Sequence, residues 1–145
     1  MTKGLIATNP ILKFTLDIPA KTKKNSQQIL INKKTGRPFV SQSSAYKAFQ
    51  KACMMLIPSE ARMGIDYPVN VKVTFYMQAR RRVDLTNCLE SIDDVLVDAG
   101  VLKDDSRDII ASHDGSRVYY DKEHPRIVVE ITKAEDGYER WKVRE

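Results

Sequence analysis

The chain has 145 residues, of which 42% are hydrophobic and 30% charged, and its formal net charge is +5. Length and composition fit a globular protein with a single core, so we expect one domain over residues 1–145. No apolar run approaches the roughly 18 residues that a membrane span needs, so we expect no membrane partner. The first ten residues lack the apolar stretch of a secretion signal, which favours a cytoplasmic location.

The charges divide along the chain. Residues 1–83 carry 15 basic and 3 acidic side chains, whereas residues 84–145 carry 9 basic and 16 acidic ones. The basic half favours a polyanionic partner and the acidic half a cluster of carboxylates, although folding can interleave the two. Cys53 and Cys88 cannot supply a four-ligand zinc site, so we expect packed thiols.

The first third of the chain predicts a strand, a basic loop and a hairpin. Residues 11–18 alternate apolar and polar side chains until Pro19, which is typical of a strand. A basic loop follows over residues 21–26. A β-hairpin is then expected, with strands over 28–32 and 37–40 and a turn between them that contains Gly36.

Two helices and a long strand are expected in the middle of the chain. A serine-rich stretch from Ser41 predicts a helix start, Pro58 ends that helix, and residues 68–77 alternate as a strand. The second helix is expected over residues 85–99, before Gly100. Its apolar residues fall on one face of the helix: Leu85, Leu89, Ile92, Leu96 and Ala99. Its opposite face carries Glu90, Asp94 and Asp98.

The last third predicts a polar turn over residues 103–106 and strands over 109–112, 117–120 and 126–132. Residues 134–145 are charged, and we expect a frayed tail or a short helix that Tyr138 and Trp141 could dock. His113 and His124 are interpreted as surface or strand residues. Together these elements predict an α+β fold with a mixed or antiparallel sheet and two main helices.

Arginines and carboxylates flank the second helix. Arg80, Arg81 and Arg82 end the long strand immediately before Asp84, and Asp104-Asp105 follow the helix. Each feature alone has an ordinary explanation, as a solvated charge run, a helix N-cap or a turn. The two ends of this helix lie about 22 Å apart, so the helix and turn alone cannot bring Asp84 to Asp105. Spacing does not decide whether the following loop runs back.

The run Arg80-Arg-Arg-Val-Asp84-Leu-Thr-Asn87, the helix with Asp94, and Val101-Leu-Lys-Asp104-Asp105-Ser resemble the core signature of the RusA family of Holliday-junction resolvases. The resemblance is strongest over residues 80–110 and weaker over the N-terminal strand, the basic loop and the segment from Arg37. It implies a small homodimeric α+β endonuclease, common in phages and prophages. It also implies magnesium-dependent nicking of two opposed strands in four-way junction DNA.

The resemblance also implies site residues. Asp84 corresponds to the first essential aspartate of the family, Asp105 to its distal one and Asp104 to its acidic neighbour. Two positions depart from the pattern: Thr86 stands where a second aspartate is common, and Glu90 where a lysine is common. Thr86 could bind a metal through its hydroxyl or a water, and Glu90 could restore the missing carboxylate, since i and i+4 share a helix face.

The chemistry of these residues is compatible with that activity. Mg²⁺ prefers hard oxygen ligands and needs few protein carboxylates, so Asp84, Asp104 and Asp105 are the expected metal ligands, with Mn²⁺ as a possible substitute. Glu90 joins Asp84 and Asp105 as an expected catalytic residue. The expected contacts to DNA come from basic and amide side chains: Arg80, Arg81, Arg82, Lys21, Lys23, Lys24 and Asn25.

Two alternatives stay open at this point. A junction-binding protein that does not cleave is compatible with Thr86 and Glu90. A general basic nucleic-acid binder explains the charge but leaves the layout of Asp84 and Asp104-Asp105 unused.

Overall fold

The computed structural model describes residues 9–23, 27–42, 44–135 and 138. The described residues form two α-helices and seven strands. The elements are β1 (Leu12–Leu16), β2 (Gln27–Ile31), β3 (Pro38–Gln42), α1 (Ser44–Leu56), β4 (Val69–Met77), α2 (Leu85–Asp98), β5 (Ile110–Ser112), β6 (Arg117–Tyr120) and β7 (Arg126–Lys133). A 3₁₀ turn over Ser59–Ala61 follows α1.

The main sheet is mixed, with β4 near its centre. One edge of β4 pairs antiparallel with β7, which in turn pairs antiparallel with β1. The other edge pairs in parallel with β5 at Val69 and Asn70, and with β6 from Thr74 to Met77. The expected α+β fold with a mixed sheet and two main helices is therefore confirmed.

One hydrophobic core joins the sheet and both helices. Every second residue of β4, from Val69 to Phe75, is fully buried, and the matching positions of β7 are buried as well. Tyr46, Phe49 and Cys53 of α1 belong to the same core. So does the predicted apolar stripe of α2, except that Leu85 is only partly buried. The apolar residues that recur every 3.6 positions in the helices and every two positions in the strands thus pack into the same core.

The hairpin of β2 and β3 stands apart from the main sheet as a two-stranded sheet. Its turn contains Gly36 at φ +70°, a backbone conformation that favours glycine. The predicted hairpin is confirmed, and α1 begins at Ser44, the last residue of the serine-rich stretch predicted to open it. Ser41 pairs with Gln28 in the hairpin, because the ladder continues to Gln42 before α1 begins at Ser44.

The edge of β4 is interrupted between β5 and β6, and two side chains fill the interruption. The Ser116 hydroxyl accepts a hydrogen bond from the buried Val73 N–H at 3.0 Å. The His113 ring donates from Nδ1 to the Val71 carbonyl at 2.8 Å. These bonds replace the missing strand ladder, since buried backbone groups need partners. The interruption also directs His113, which follows β5 directly and is partly exposed, toward α2.

Both cysteines are buried and free, as expected. Burial raises the pKa of Cys53 to about 12. Burial, with a smaller contribution from the charge of Asp84, raises the pKa of Cys88 to about 11. The expected tail lies outside the described residues except for residues 134, 135 and 138, and Trp141 is among those not described. No helix in the described part of the chain is long and apolar enough to cross a membrane.

We expect Ser116→Ala to lower the free energy of unfolding by about 1–3 kcal/mol, because the buried Val73 N–H would lose its acceptor. Urea unfolding followed by circular dichroism measures this change. Ser112→Ala is the matched control: its hydroxyl donates to Asn70 Oδ1, which still accepts from the Asp114 N–H. An equal loss in the two variants would contradict the proposed role of Ser116.

Candidate functional site

An open cavity of about 290 Å³ lies beside the C-terminal half of α2. Carboxylates from α2 and from the loop after it share this cavity with one cation and one amide. The lining residues are Lys23, Gln50, Asp94, Val97, Asp98 and Asp105. The cavity therefore collects oxygen donors at a place that substrate and ions could reach.

Lys23 reaches this cavity from the loop after β1. Its ammonium forms an ion pair with Asp94, and this contact raises the pKa of Lys23, against the effect of burial. The loop is held in place because the Ser91 hydroxyl of α2 donates to the Lys21 carbonyl at 2.7 Å. Lys23, expected to bind DNA, thus lies among the α2 carboxylates.

Asp93 of α2 forms a part-buried pair with His113, which follows β5. His113 Nε2 lies 3.0 Å from Asp93 Oδ2, while Nδ1 already donates to the Val71 carbonyl. Both partners accept, so the imidazole carries two protons when Asp93 is ionised. Burial lowers the pKa of His113, but the hydrogen bond and charge of Asp93 outweigh it and raise that pKa. Burial raises the pKa of Asp93, and the nearby charges of Asp105 and Asp94 add to this.

The expected acidic pair after α2 forms a tight turn. Asp104 Oδ1 accepts the Asp105 backbone N–H at 2.8 Å. This bond, together with bonds from Ser106, lowers the pKa of Asp104. Asp105 is exposed and faces the cavity. The loop therefore presents Asp105 to the cavity and uses Asp104 to shape the turn.

Asp84 lies at the opposite end of the helix. It is the N-cap residue of α2, and its Oδ2 accepts from the Asn87 amide at 3.3 Å. Along the helix axis, residues 84 and 98 are separated by about 20 Å. Among the described residues, no group of three or more His, Cys, Asp or Glu side chains is placed to hold a metal ion. One chain thus does not bring Asp84 together with Asp104 and Asp105.

The two departures from the family pattern are both exposed on α2. Thr86 lies in the first helical turn near Asp84. Glu90 lies one turn further on, and its charge contributes to the raised pKa of Lys23. Glu90 therefore lies on the side of α2 where Asp94 meets Lys23.

A second groove, of about 490 Å³, runs between the loop after β1 and the loop after β4. Its lining includes three expected DNA contacts, Lys21, Arg81 and Arg82. Arg80 instead lies over the Tyr120 ring, with its guanidinium carbon 4.7 Å from the ring centroid. Lys24 and Asn25, also expected to bind DNA, lie outside the described residues.

Two contacts of this site were missed by reasoning from the sequence. Asp93 sits next to the apolar stripe of α2, and its partner His113 is 20 residues away. Asp94 was seen on the helix face, but its partner Lys23 lies in the first quarter of the chain. The local signal was a carboxylate next to a buried helix position. A carboxylate that is partly buried needs a cationic or hydrogen-bonding partner, but the signal does not say which residue that partner is.

Comparisons with known proteins identify the family of this chain. The model of the endodeoxyribonuclease RusA family matches residues 17–132. A crossover junction endodeoxyribonuclease RusA from Aquifex aeolicus (strain VF5) is 42% identical over 43 residues. That stretch covers 30% of this chain and 34% of the relative, so about a third of the relative is matched. Because the family model spans most of the chain, this protein belongs to the RusA endodeoxyribonuclease family.

The Asp93–His113 pair predicts that stability falls as pH rises above neutrality. The raised pKa of His113 contributes stability that is fully present below about 6.5, the ordinary histidine value, and is lost as pH rises through the folded-state pKa. Asp93→Asn removes the charge that raises the pKa, so its stability should change little from pH 6 to 9.

Urea unfolding at several pH values in metal-free buffer measures this difference. His124→Gln serves as the matched control, since His124 is exposed and pairs with Asp17 rather than with α2. It should keep the wild-type pH dependence. A decline in Asp93→Asn as steep as in the wild type would contradict the assignment.

Proposed function

We propose that this member of the RusA endodeoxyribonuclease family resolves Holliday junctions by magnesium-dependent hydrolysis of phosphodiester bonds, acting as a homodimer. The observation that carries the proposal is the family match over residues 17–132, which includes the arginine run, α2 and Asp105. The matched relative is named a crossover junction endodeoxyribonuclease. The proposed substrate is therefore four-way junction DNA.

The donors beside α2 fit Mg²⁺ in their chemistry. Asp105, Asp94 and Asp98 line one open cavity with carboxylate oxygens. Mg²⁺ prefers such oxygens and is commonly held by one or two carboxylates, waters and substrate phosphates. In this chain Asp105 would hold the ion, with Asp84 as the second expected ligand and Asp104 stabilising the turn. A bound Mg²⁺ supplies charge neutralisation at the phosphate and a more acidic water.

The chain's own residues would place the DNA backbone. Arg81, Arg82 and Lys21 line one continuous groove, and guanidinium groups bind phosphate oxygens through paired hydrogen bonds. Lys23 places a positive charge in the acidic cavity, where it offsets repulsion between the α2 carboxylates and an approaching phosphate. Ser91 fixes the loop that carries both lysines.

The positions of Asp84 and Asp105 support the homodimer. Two oxygens that bind the same Mg²⁺ lie within about 4 Å of each other, since each bond is about 2.1 Å. The length of α2 keeps the two carboxylates of one chain much further apart. A two-fold dimer supplies a second copy of each carboxylate, so Asp84 of one protomer and Asp105 of its partner could share an ion.

We expect Asp84→Asn and Asp105→Asn each to abolish nicking of a synthetic four-way junction while leaving junction binding nearly intact. Each change removes a ligand charge but no phosphate contact. Mixing the two inactive variants should restore roughly a quarter of the wild-type nicking. Random exchange makes half of the dimers mixed, and each mixed dimer holds one intact shared site.

Asp66→Asn, which changes an exposed aspartate outside α2 and its loop, is the matched control and should cleave normally. Full activity of either single variant would overturn the assignment of the carboxylates. Inactive variants that do not complement each other would place each site within one chain. Sedimentation measures the dimer directly, and a monomer both free and on junction DNA would contradict paired incision.

Thr86 and Glu90 favour a second candidate, a junction-binding protein that does not cleave. If Glu90 supplies the carboxylate that Thr86 lacks, Glu90→Gln should lower cleavage strongly, and Thr86→Asp should restore part of it in that background. Wild-type cleavage by Glu90→Gln would remove Glu90 from the acidic set. A wild type that is inactive with Mg²⁺ and Mn²⁺, beside an active Thr86→Asp variant, would identify the non-cleaving protein.

A further inference from the structure

Three side chains form a stacked column across the outer face of the sheet. The Arg126 guanidinium lies 3.6 Å from the centroid of the Tyr76 ring. Tyr76 stacks on Tyr119, with ring centroids 5.7 Å apart and an interplanar angle of 29°. The strand register produces this column, because Tyr76 pairs with Arg126 on one side and with Tyr119 on the other.

The column ends at an open ring. Tyr119 belongs to β6, and no described strand pairs with the other edge of β6. The Tyr119 side chain is 51% exposed, whereas Tyr76 is only partly exposed between its neighbours. A further planar group could therefore stack on Tyr119 in the position that a side chain of the next strand would occupy.

The base of the column is fixed. Arg126 is held by Asp121 Oδ2 at 2.9 Å and by the His124 carbonyl at 2.8 Å. The guanidinium therefore stays over Tyr76, and Tyr76 supports Tyr119 from behind. A ring that is already ordered loses little conformational entropy when a ligand stacks on it.

Tyr119 is the neighbour, along β6, of a residue whose register partner lines the basic groove. Its neighbour Tyr120 points to the opposite face of the sheet and carries Arg80 on its ring. Tyr120 pairs in register with Met77, which lines the groove with Arg81 and Arg82. A nucleic-acid strand whose phosphates lie in the groove can thus reach the edge of β6 with its next base.

We propose that Tyr119 is a stacking site for an unpaired nucleobase, which deepens the proposed function by indicating how the protein distinguishes branched from linear DNA. Stacking on an aromatic ring tolerates any base but needs a base that has left its own stack. A continuous duplex keeps every base in its stack, whereas stacking is interrupted at the strand-exchange point of a junction, so a base can leave its pair there at lower cost. The arginines nearby supply the phosphate contacts that such a strand also needs.

The test compares Tyr119→Ala with Tyr119→Phe in EDTA, so that DNA binds without being cut. Three probes are used: a four-way junction with 2-aminopurine at the exchange point, a duplex of equal length, and single-stranded oligo-dT. We expect Tyr119→Ala to bind junction and oligo-dT about tenfold more weakly and duplex within about twofold of the wild type. Stacking should quench 2-aminopurine in the wild type and in Tyr119→Phe, which keeps the ring, but not in Tyr119→Ala.

Met55→Ala removes an apolar side chain from α1 that is even more exposed than Tyr119, and this variant should behave as the wild type. Unchanged junction affinity and quenching in Tyr119→Ala would overturn the stacking site, as would an equal loss of affinity for duplex and junction. The oligo-dT arm keeps the two proposals separable. A ring-dependent affinity for oligo-dT in a protein that cuts no junction would support the stacking site and reject the proposed function.

Discussion

The pairing of β4 along both of its edges is the constraint on which the rest of the structure depends. β7 covers one edge without interruption from Val69 to Tyr76, while β5 and β6 share the other. Fully buried side chains on its inner face hold the helices. Because β4 ends at Met77, the arginine run and the start of α2 emerge together from the end of one rigid strand. The groove arginines and Asp84 therefore follow the same end of β4 along the chain.

The acidic face of α2 is compatible with folding because its inner carboxylates have cationic partners. Asp93 would be costly to bury alone, and His113 offsets that cost through a hydrogen bond that the interrupted edge of β4 makes possible. Lys23 does the same for Asp94. Asp98 and Asp105 lie further out, where water and ions can screen them. The helix therefore keeps exposed carboxylates at the cavity while its buried ones are neutralised.

The two edges of the sheet differ in what they offer to a ligand. On the side of β1 the outer face presents an ordinary cross-strand ion pair, Lys13 with Glu130. On the side of β6 it presents an aromatic column whose last ring is open. Phosphate contacts and stacking contacts act on different parts of a nucleic acid. In the proposed complex, the basic groove would bind the backbone phosphates and Tyr119 would bind an unstacked base.

The sequence by itself determined the elements whose patterns are local. The stripe of α2, the alternation of β4 and the turn chemistry of the hairpin predicted those elements within one or two residues. Within the serine-rich stretch that opens α1, Ser41 suits both a helix cap and a strand, and the hairpin ladder assigns it to β3. The sequence also showed the arginine run, Asp84 and Asp105 as parts of a family motif, because a motif of short sequence segments can be recognised without knowing the fold.

Tertiary structure alone decided which charges meet. The Asp93–His113 and Lys23–Asp94 pairs join residues from separate elements, and no spacing in the sequence encodes a contact between a helix and a strand interruption. The same holds for the column of Arg126, Tyr76 and Tyr119, which exists only because three strands align in register. Spacing left open whether Asp105 returns to Asp84. The fold keeps Asp105 at the far end of α2, because the loop after the helix enters β5 at the beginning of β4.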